Sequence, residues 1–139
     1  MGFEYNMPIL VVDDDAMVRD ILVEYLKSYG FVRITEAASS TEALKTIQAA
    51  GEEIRLVLSD WEMPTPTGLD LLRALKANPN RQNTKFIMIT SQKSVERIKI
   101  AQAASAGVDA YIVKPFRAGL LKEKIWAVMG WNLEEKKQA

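Results

Sequence analysis

Residues 9–15 read ILVVDDD: four apolar side chains in a row, then three carboxylates. Strict alternation would mark a strand with one wet face. An unbroken apolar run this short, closed by turn-forming acids, marks a strand buried on both faces, the habit of parallel sheets covered by helices. The acids then stand at the carboxyl end of a buried strand. Repulsion and incomplete solvation there call for something cationic.

The pattern recurs along the chain. PILVV (8–12) precedes a helical segment in which Val18, Ile21, Leu22, Tyr25, Leu26 and Tyr29 recur at helical spacing until Gly30 ends it. FVRIT (31–35) reads as a second strand, and Ser39 with Glu42 as a capping box for a helix buried through Ala43, Leu44 and Ile47. IRLVLSD (54–60) is a third strand, after which the turn MPTPTG (63–68) leads into a helix marked by Leu69, Leu72 and Leu75 and closed by NPNRQN (78–83). KFIMITS (85–91) is a fourth strand. Ser94 is placed to cap a helix facing inward through Ile98, Ala101 and Ala104, which Gly107 ends before the last strand, DAYIVK (109–114). Leu121, Ile125 and Val128 form the inward stripe of a fifth helix. Strict alternation predicts an α/β fold, a doubly wound five-stranded parallel sheet with five helices and right-handed crossovers. A single domain is expected over residues 7–130, with 1–6 and 131–139 as short tails and no output domain.

With 139 residues and 48% hydrophobic content, one ordinary globular core is expected. Eighteen basic residues balance eighteen acidic ones, so net charge names no partner and gives no reason to expect nucleic acid. The halves differ: residues 1–60 hold 11 acids and 5 bases, residues 91–139 hold 5 acids and 9 bases. The chain has no Cys, which removes thiol chemistry and Cys-based metal sites, and no His, which removes imidazole catalysis and a phosphohistidine of its own. No Gly precedes Lys and no G-x-G-x-x-G occurs, so neither common nucleotide-phosphate loop is present. Charges at Glu4, Asp13, Asp14, Asp15, Arg19 and Asp20 argue against a signal peptide, and no apolar run approaches a membrane span. A cytoplasmic location is expected.

Ligands of open parallel sheets bind beyond the carboxyl ends of the strands. At that edge the first strand ends in Asp13 and Asp14, the third in Asp60, the fourth in Thr90 and Ser91, the fifth in Lys114. Crowding carboxylates within about 4–6 Å costs about 4 kcal/mol per pair at intermediate dielectric, a penalty that a divalent cation removes. Oxygen donors without His or Cys point to Mg²⁺.

VVDDD (11–15), LVLSDWEMP (56–64), IMITS (87–91) and YIVKPF (111–116), in that order, resemble the receiver domain of bacterial two-component response regulators, in the single-domain chemotaxis form. The likeness runs from Ile9 to Met129. It implies a flavodoxin-like strand order 2-1-3-4-5. It also implies that Asp60 accepts a phosphoryl group from a sensor histidine kinase or phosphotransfer protein. Mg²⁺ would be held by Asp14 directly, Asp13 largely through water, Asp60, and the Glu62 backbone carbonyl. Thr90 would bind the phosphoryl oxygens, and Lys114 would pair with Asp60 and then with the phosphate. Thr90 and Tyr111 would form the switch, although Tyr111 also reads as a plain strand aromatic. Output would pass to a protein target at the face of the fourth helix, fifth strand and fifth helix, where Ile100, Trp126 and Lys124 are expected with Tyr111. The lysines nearby, Lys93, Lys99, Lys122 and Lys124, also read as a solubilising surface. A monomer or weak dimer is expected, acting as a phosphoacceptor and not as an enzyme.

Two departures stand out. The run from Thr90 to Gly107 is two residues longer than in the chemotaxis type, and Glu62 places an acid two positions past the acceptor. VVDDDAMV also approaches the D-x-D pattern of haloacid-dehalogenase-like phosphatases, with Asp13 as nucleophile and Asp15 as general acid, although Met17 is unusual there. A third reading is a receiver-like binding module that takes no phosphate.

Overall fold

The computed structural model describes residues 4–49, 51, 53–64, 66–91 and 97–131, with backbone only at 97–99. Its elements are β1 (Ile9–Val12), α1 (Ala16–Ser28), β2 (Ile34–Ala37), α2 (Ser40–Gln48), β3 (Leu56–Asp60), α3 (Gly68–Ala77), β4 (Lys85–Ser91), α4 (Arg97–Ser105), β5 (Ala110–Lys114) and α5 (Ala118–Met129). The strands form one sheet in the order β2-β1-β3-β4-β5, every neighbouring pair parallel. The chain winds outward from β1 in both directions, so the switch point lies between β1 and β3. Val12 pairs with Ser59, which sets Asp13 level with Asp60 across that point.

Alternation along each strand divides the interior in two. Ile9, Val11, Leu58, Ile87, Ile89 and Ile112 pack under α1 and α5. Leu10, Val12, Val57, Phe86 and Met88 pack under α2 and α3, with Ala103 from α4. No helix among the described residues is long and apolar enough to cross a membrane.

The terminators act as anticipated. Gly30 and Gly107 adopt positive φ just past α1 and α4, which an L side chain resists. The Asp15 carboxylate caps α1, accepting from the amides of Met17 and Val18. Ser39 caps α2 through the Glu42 amide, while the Glu42 carboxylate reaches the Ala38 amide, one residue beyond a standard box. A full capping box, Thr67 with Asp70, opens α3 and went unread in the sequence.

Several facing assignments need correction. Ile21 is 47% exposed, and Val23 is buried in its place. In α4, Ala101 and Ala104 face solvent while Ala103 is inward, because a run of small side chains offers too little amphipathic contrast to set the rotation of the helix. Ser94, Lys93 and the side chains of Ile98 and Lys99 lie outside the described residues. Trp126 is not on the output face: it is 1% exposed. Its ring meets Trp131 at 5.1 Å, Phe31 at 6.0 Å and Tyr29 at 6.3 Å. Helix α5 touches both the sheet and this aromatic group, so its buried arc is wider than a single stripe. Lys122 covers the outer side of the indole at 5.3 Å.

Arg81 is buried in the 3-10 turn Pro79–Arg81. Its guanidinium donates to the carbonyls of Ile47 (2.8 Å), Ala49 (3.1 Å) and Thr46 (3.2 Å), closing the end of α2. Arg81→Met keeps the aliphatic stem and orphans those carbonyls. We expect a loss of about 2 kcal/mol in urea unfolding, with cation binding at the far edge of the sheet unchanged.

Candidate functional site

All four strand tips expected to carry chemistry converge at the carboxyl edge. Asp13 and Asp60 end adjacent strands and are almost completely buried, at 1% and 6% exposure, whereas Asp14 is open to solvent. Each offers a carboxylate oxygen, and these oxygens lie within 4.8 Å of one another. Lys114 reaches across from β5 and stands 3.4 Å from both Asp13 Oδ2 and Asp60 Oδ1. One ammonium thus serves two buried carboxylates and leaves the group with excess negative charge.

Local hydrogen bonds hold the loops in place. Asp13 Oδ1 accepts from the Asp15 amide at 2.9 Å, and Asp60 Oδ1 from the Glu62 amide at 3.2 Å. Arg19 on α1 donates to the Asp13 carbonyl at 2.7 Å while pairing with Glu36 on β2 at 3.3 Å, so the acid loop is tied to two elements. The sequence reading missed Arg19; its helical position one turn past the Asp15 cap was the available signal.

Burial pushes Asp60 up to about 6 from an ordinary 3.8; the Lys114 ammonium pulls the other way, and Asp13 adds to the rise. Burial also raises Asp13, against the Asp15 amide and Lys114, with Asp14 adding to the rise. Two strained carboxylates and a third within reach form a cluster that gains from a cation. The donors are all oxygen and one side is open, a set that fits a hard divalent ion which keeps part of its water.

Thr90 is buried at the tip of β4, with its hydroxyl 3.5 Å from the Ser91 carbonyl. Tyr111 on β5 is 41% exposed and points outward, and Ile100 on α4 is half-buried. Asp15, the general acid of the phosphatase reading, is instead engaged as the α1 cap. The Lys114–Pro115 peptide is cis.

The model of the response regulator receiver domain family matches residues 9–126. The chain is 40% identical over 119 residues to the chemotaxis protein CheY of Pseudomonas aeruginosa, covering 86% of this chain and 93% of that one. It is 36% identical over 126 residues to chemotaxis protein CheY1 of Helicobacter pylori, covering 91% and 99%. Among solved structures, a CheY-like response regulator receiver domain protein from Methanospirillum hungatei superposes with a TM-score of 0.78 at 32% identity, covering 96% and 99%.

Proposed function

Since the chain belongs to the response regulator receiver domain family, we propose that it is a phosphoacceptor, taking a phosphoryl group onto Asp60 and passing the signal on by protein contact. The observation that carries this reading is the convergence of Asp13, Asp14 and Asp60 within 4.8 Å, with Lys114 3.4 Å from Asp60. Asp60 combines burial, a hydrogen bond that fixes one oxygen and a cationic neighbour that a phosphate would share. Asp13 has the same three features, and it is the family membership that favours Asp60 as the acceptor and Asp13 as a cation ligand.

Asp13, Asp14 and Asp60, with the Glu62 carbonyl, would hold Mg²⁺. The bound ion supplies charge neutralisation for the acids and for the transferring oxygens. At neutral pH Asp60 is mostly ionised and can act as the nucleophile. Its free carboxylate oxygen attacks phosphorus as the phosphorus–nitrogen bond of a phosphohistidine breaks, and the leaving imidazole keeps the electron pair. An acyl phosphate results. Lys114 then faces phosphoryl oxygens in place of the bare carboxylate, and the Thr90 hydroxyl turns from the Ser91 carbonyl toward them.

With no His in the chain, the phosphate must come from a partner or a small acyl phosphate. Met17 and Ile21 are exposed on a stripe of α1 that continues to Tyr25, whose ring meets Phe116 at 6.2 Å. This apolar ridge beside the acids suits the helix of a sensor histidine kinase or phosphotransfer protein. The outward Tyr111, with α4 and α5, supports a separate face for the downstream target. The names of the relatives support a role in chemotaxis, and a cytoplasmic location belongs to the same reading. The chain acts as a carrier, with no turnover beyond loss of its own phosphate.

Mass mapping after incubation with acetyl phosphate and Mg²⁺ tests the reading. Label on the peptide carrying Asp60 is expected; label on Asp13 would favour the phosphatase reading, and no label at all would favour a passive module.

A further inference from the structure

The Glu62 carboxylate is not turned toward the acids. It crosses to the tip of β4, where Oε1 accepts from the Ser91 amide at 3.3 Å and also from the Ser91 hydroxyl. Ser91 directly follows Thr90 and is the register partner of Lys114. The Glu62 amide, meanwhile, donates to Asp60 Oδ1 at 3.2 Å. One residue therefore touches the acceptor through its backbone and the end of β4 through its side chain.

This arrangement opposes the movement that phosphate binding requires. Thr90 Oγ1 faces the Ser91 carbonyl at 3.5 Å, so turning it toward Asp60 gives up that contact, and any shift of the Thr90–Ser91 peptide that accompanies the turn works against Glu62, which holds the neighbouring amide and hydroxyl. Phosphorylation replaces the single charge of the Asp60 carboxylate with about two on the phosphoryl oxygens, a net gain of about one negative charge next to the Glu62 loop, and like charges repel most strongly where solvent is partly excluded. Accordingly, we propose that the Glu62–Ser91 pair is a latch, holding the end of β4 in its resting position until a phosphoryl group on Asp60 drives the Glu62 carboxylate away. The inference rests on the reading of Asp60 as phosphoacceptor and adds how the resting state is maintained. Both arms are polar contacts across a separation of 29 residues, so their loss leaves each strand intact while uncoupling the two loops.

A double-mutant cycle with beryllofluoride in saturating Mg²⁺, read by tryptophan fluorescence, tests the latch. Ser91→Ala changes no charge, and we expect it to raise beryllofluoride affinity about fivefold, the worth of one charge-assisted hydrogen bond at a partly exposed site. Glu62→Ala should raise it at least as much, since repulsion is also relieved. The decisive result is non-additivity: in the Glu62→Ala background, Ser91→Ala should add nothing. Glu62→Gln, which removes charge but keeps an acceptor for Ser91, should restore sensitivity to Ser91→Ala. Additive effects, or a Ser91→Ala chain with parental affinity, overturn the latch while leaving the phosphoacceptor reading in place. A parental chain that never binds beryllofluoride overturns both.

Discussion

An Asp60→Asn chain is expected to take up no phosphate from acetyl phosphate and yet, in the presence of a chelator, to unfold at a higher temperature than its parent at pH 8. The loss of label follows from removing the attacking oxygen. The gain in stability follows from proton linkage. Asp60 gives up its proton near 3.8 in the unfolded chain but only at about 6 in the folded one, because burial disfavours its charged form. Between those values the folded state binds more protons than the unfolded state, so stability falls as pH rises through the window and stays lower above it. The full displacement corresponds to about 3 kcal/mol with the pull of Lys114 already included, and the Asn amide, which brings donors where the carboxyl brought acceptors, offsets part of it. A net gain of about 1–2 kcal/mol, or about 5 °C in Tm, is expected at pH 8. At pH 5, about midway through the window, the folded parent keeps the Asp60 proton while the unfolded chain has lost it, so about half of the pH 8 difference should remain, vanishing only below about 3.8. Mg²⁺ should reverse the order at pH 8, since an ion that the folded parent binds more tightly than the folded variant, which lacks one carboxylate of the cluster, stabilises the parent more by mass action. Equal melting differences at pH 5 and pH 8 would show that Asp60 carries no strain.

The strand reading was legible for β1, β3 and β4 because burial on both faces writes a continuous apolar run into them, and the polar residues that close those runs fall at one edge of the sheet. Asp13, Asp60 and Thr90 are visible in the sequence for that reason alone. The edge strand β2 is ITEA, with Thr35 and Glu36 exposed, and starts three residues later than the FVRIT reading. Helix facing was less legible. Ile21 continues the apolar spacing of α1 but stands outside, beside the acid loop, and a spacing rule has no means of separating an apolar residue that faces the core from one that faces a surface. Trp126 fails in the opposite sense, because its partners Tyr29 and Phe31 come from positions distant in sequence, and Trp131 meets it from just past the end of α5. The side-chain bonds of Arg81 and Glu62 were not legible at all, and those of Arg19 only through its place one turn past the Asp15 cap. Each depends on where a long polar side chain ends, which is decided by the approach of elements that periodicity does not describe.

Gly68→Ala is expected to be the most damaging small substitution near the site. Gly68 opens α3, and a Cβ added there would lie 2.3 Å from the Asp60 carbonyl oxygen, 2.8 Å from Trp61 Cα and 3.0 Å from Met88 Sδ. The thioether can swing aside, but the two backbone groups cannot: the Trp61 amide donates to the Ile89 carbonyl at 2.9 Å, which locks the end of β3 to β4. The first turn of α3 must then retreat, breaking the Gly68 amide's bond to the Trp61 carbonyl, or the Asp60 peptide must move. Alanine's better helix propensity favours the variant by about 1 kcal/mol, whereas overpacking against backbone costs about 3 kcal/mol or more. A net loss of about 2–3 kcal/mol is expected in the urea midpoint. Because relief of the clash displaces Asp60 itself, labelling by acetyl phosphate should also fall, by at least about tenfold, since small errors of placement are costly in group transfer. Gly119→Ala provides the internal comparison. It sits in the first turn of α5 with nothing within 4 Å of the added Cβ, so the same chemical change there should stabilise the chain by about 0.5–1 kcal/mol and leave labelling unchanged. If both alanines behaved alike, close approach of α3 to the acceptor strand would not be what places Asp60.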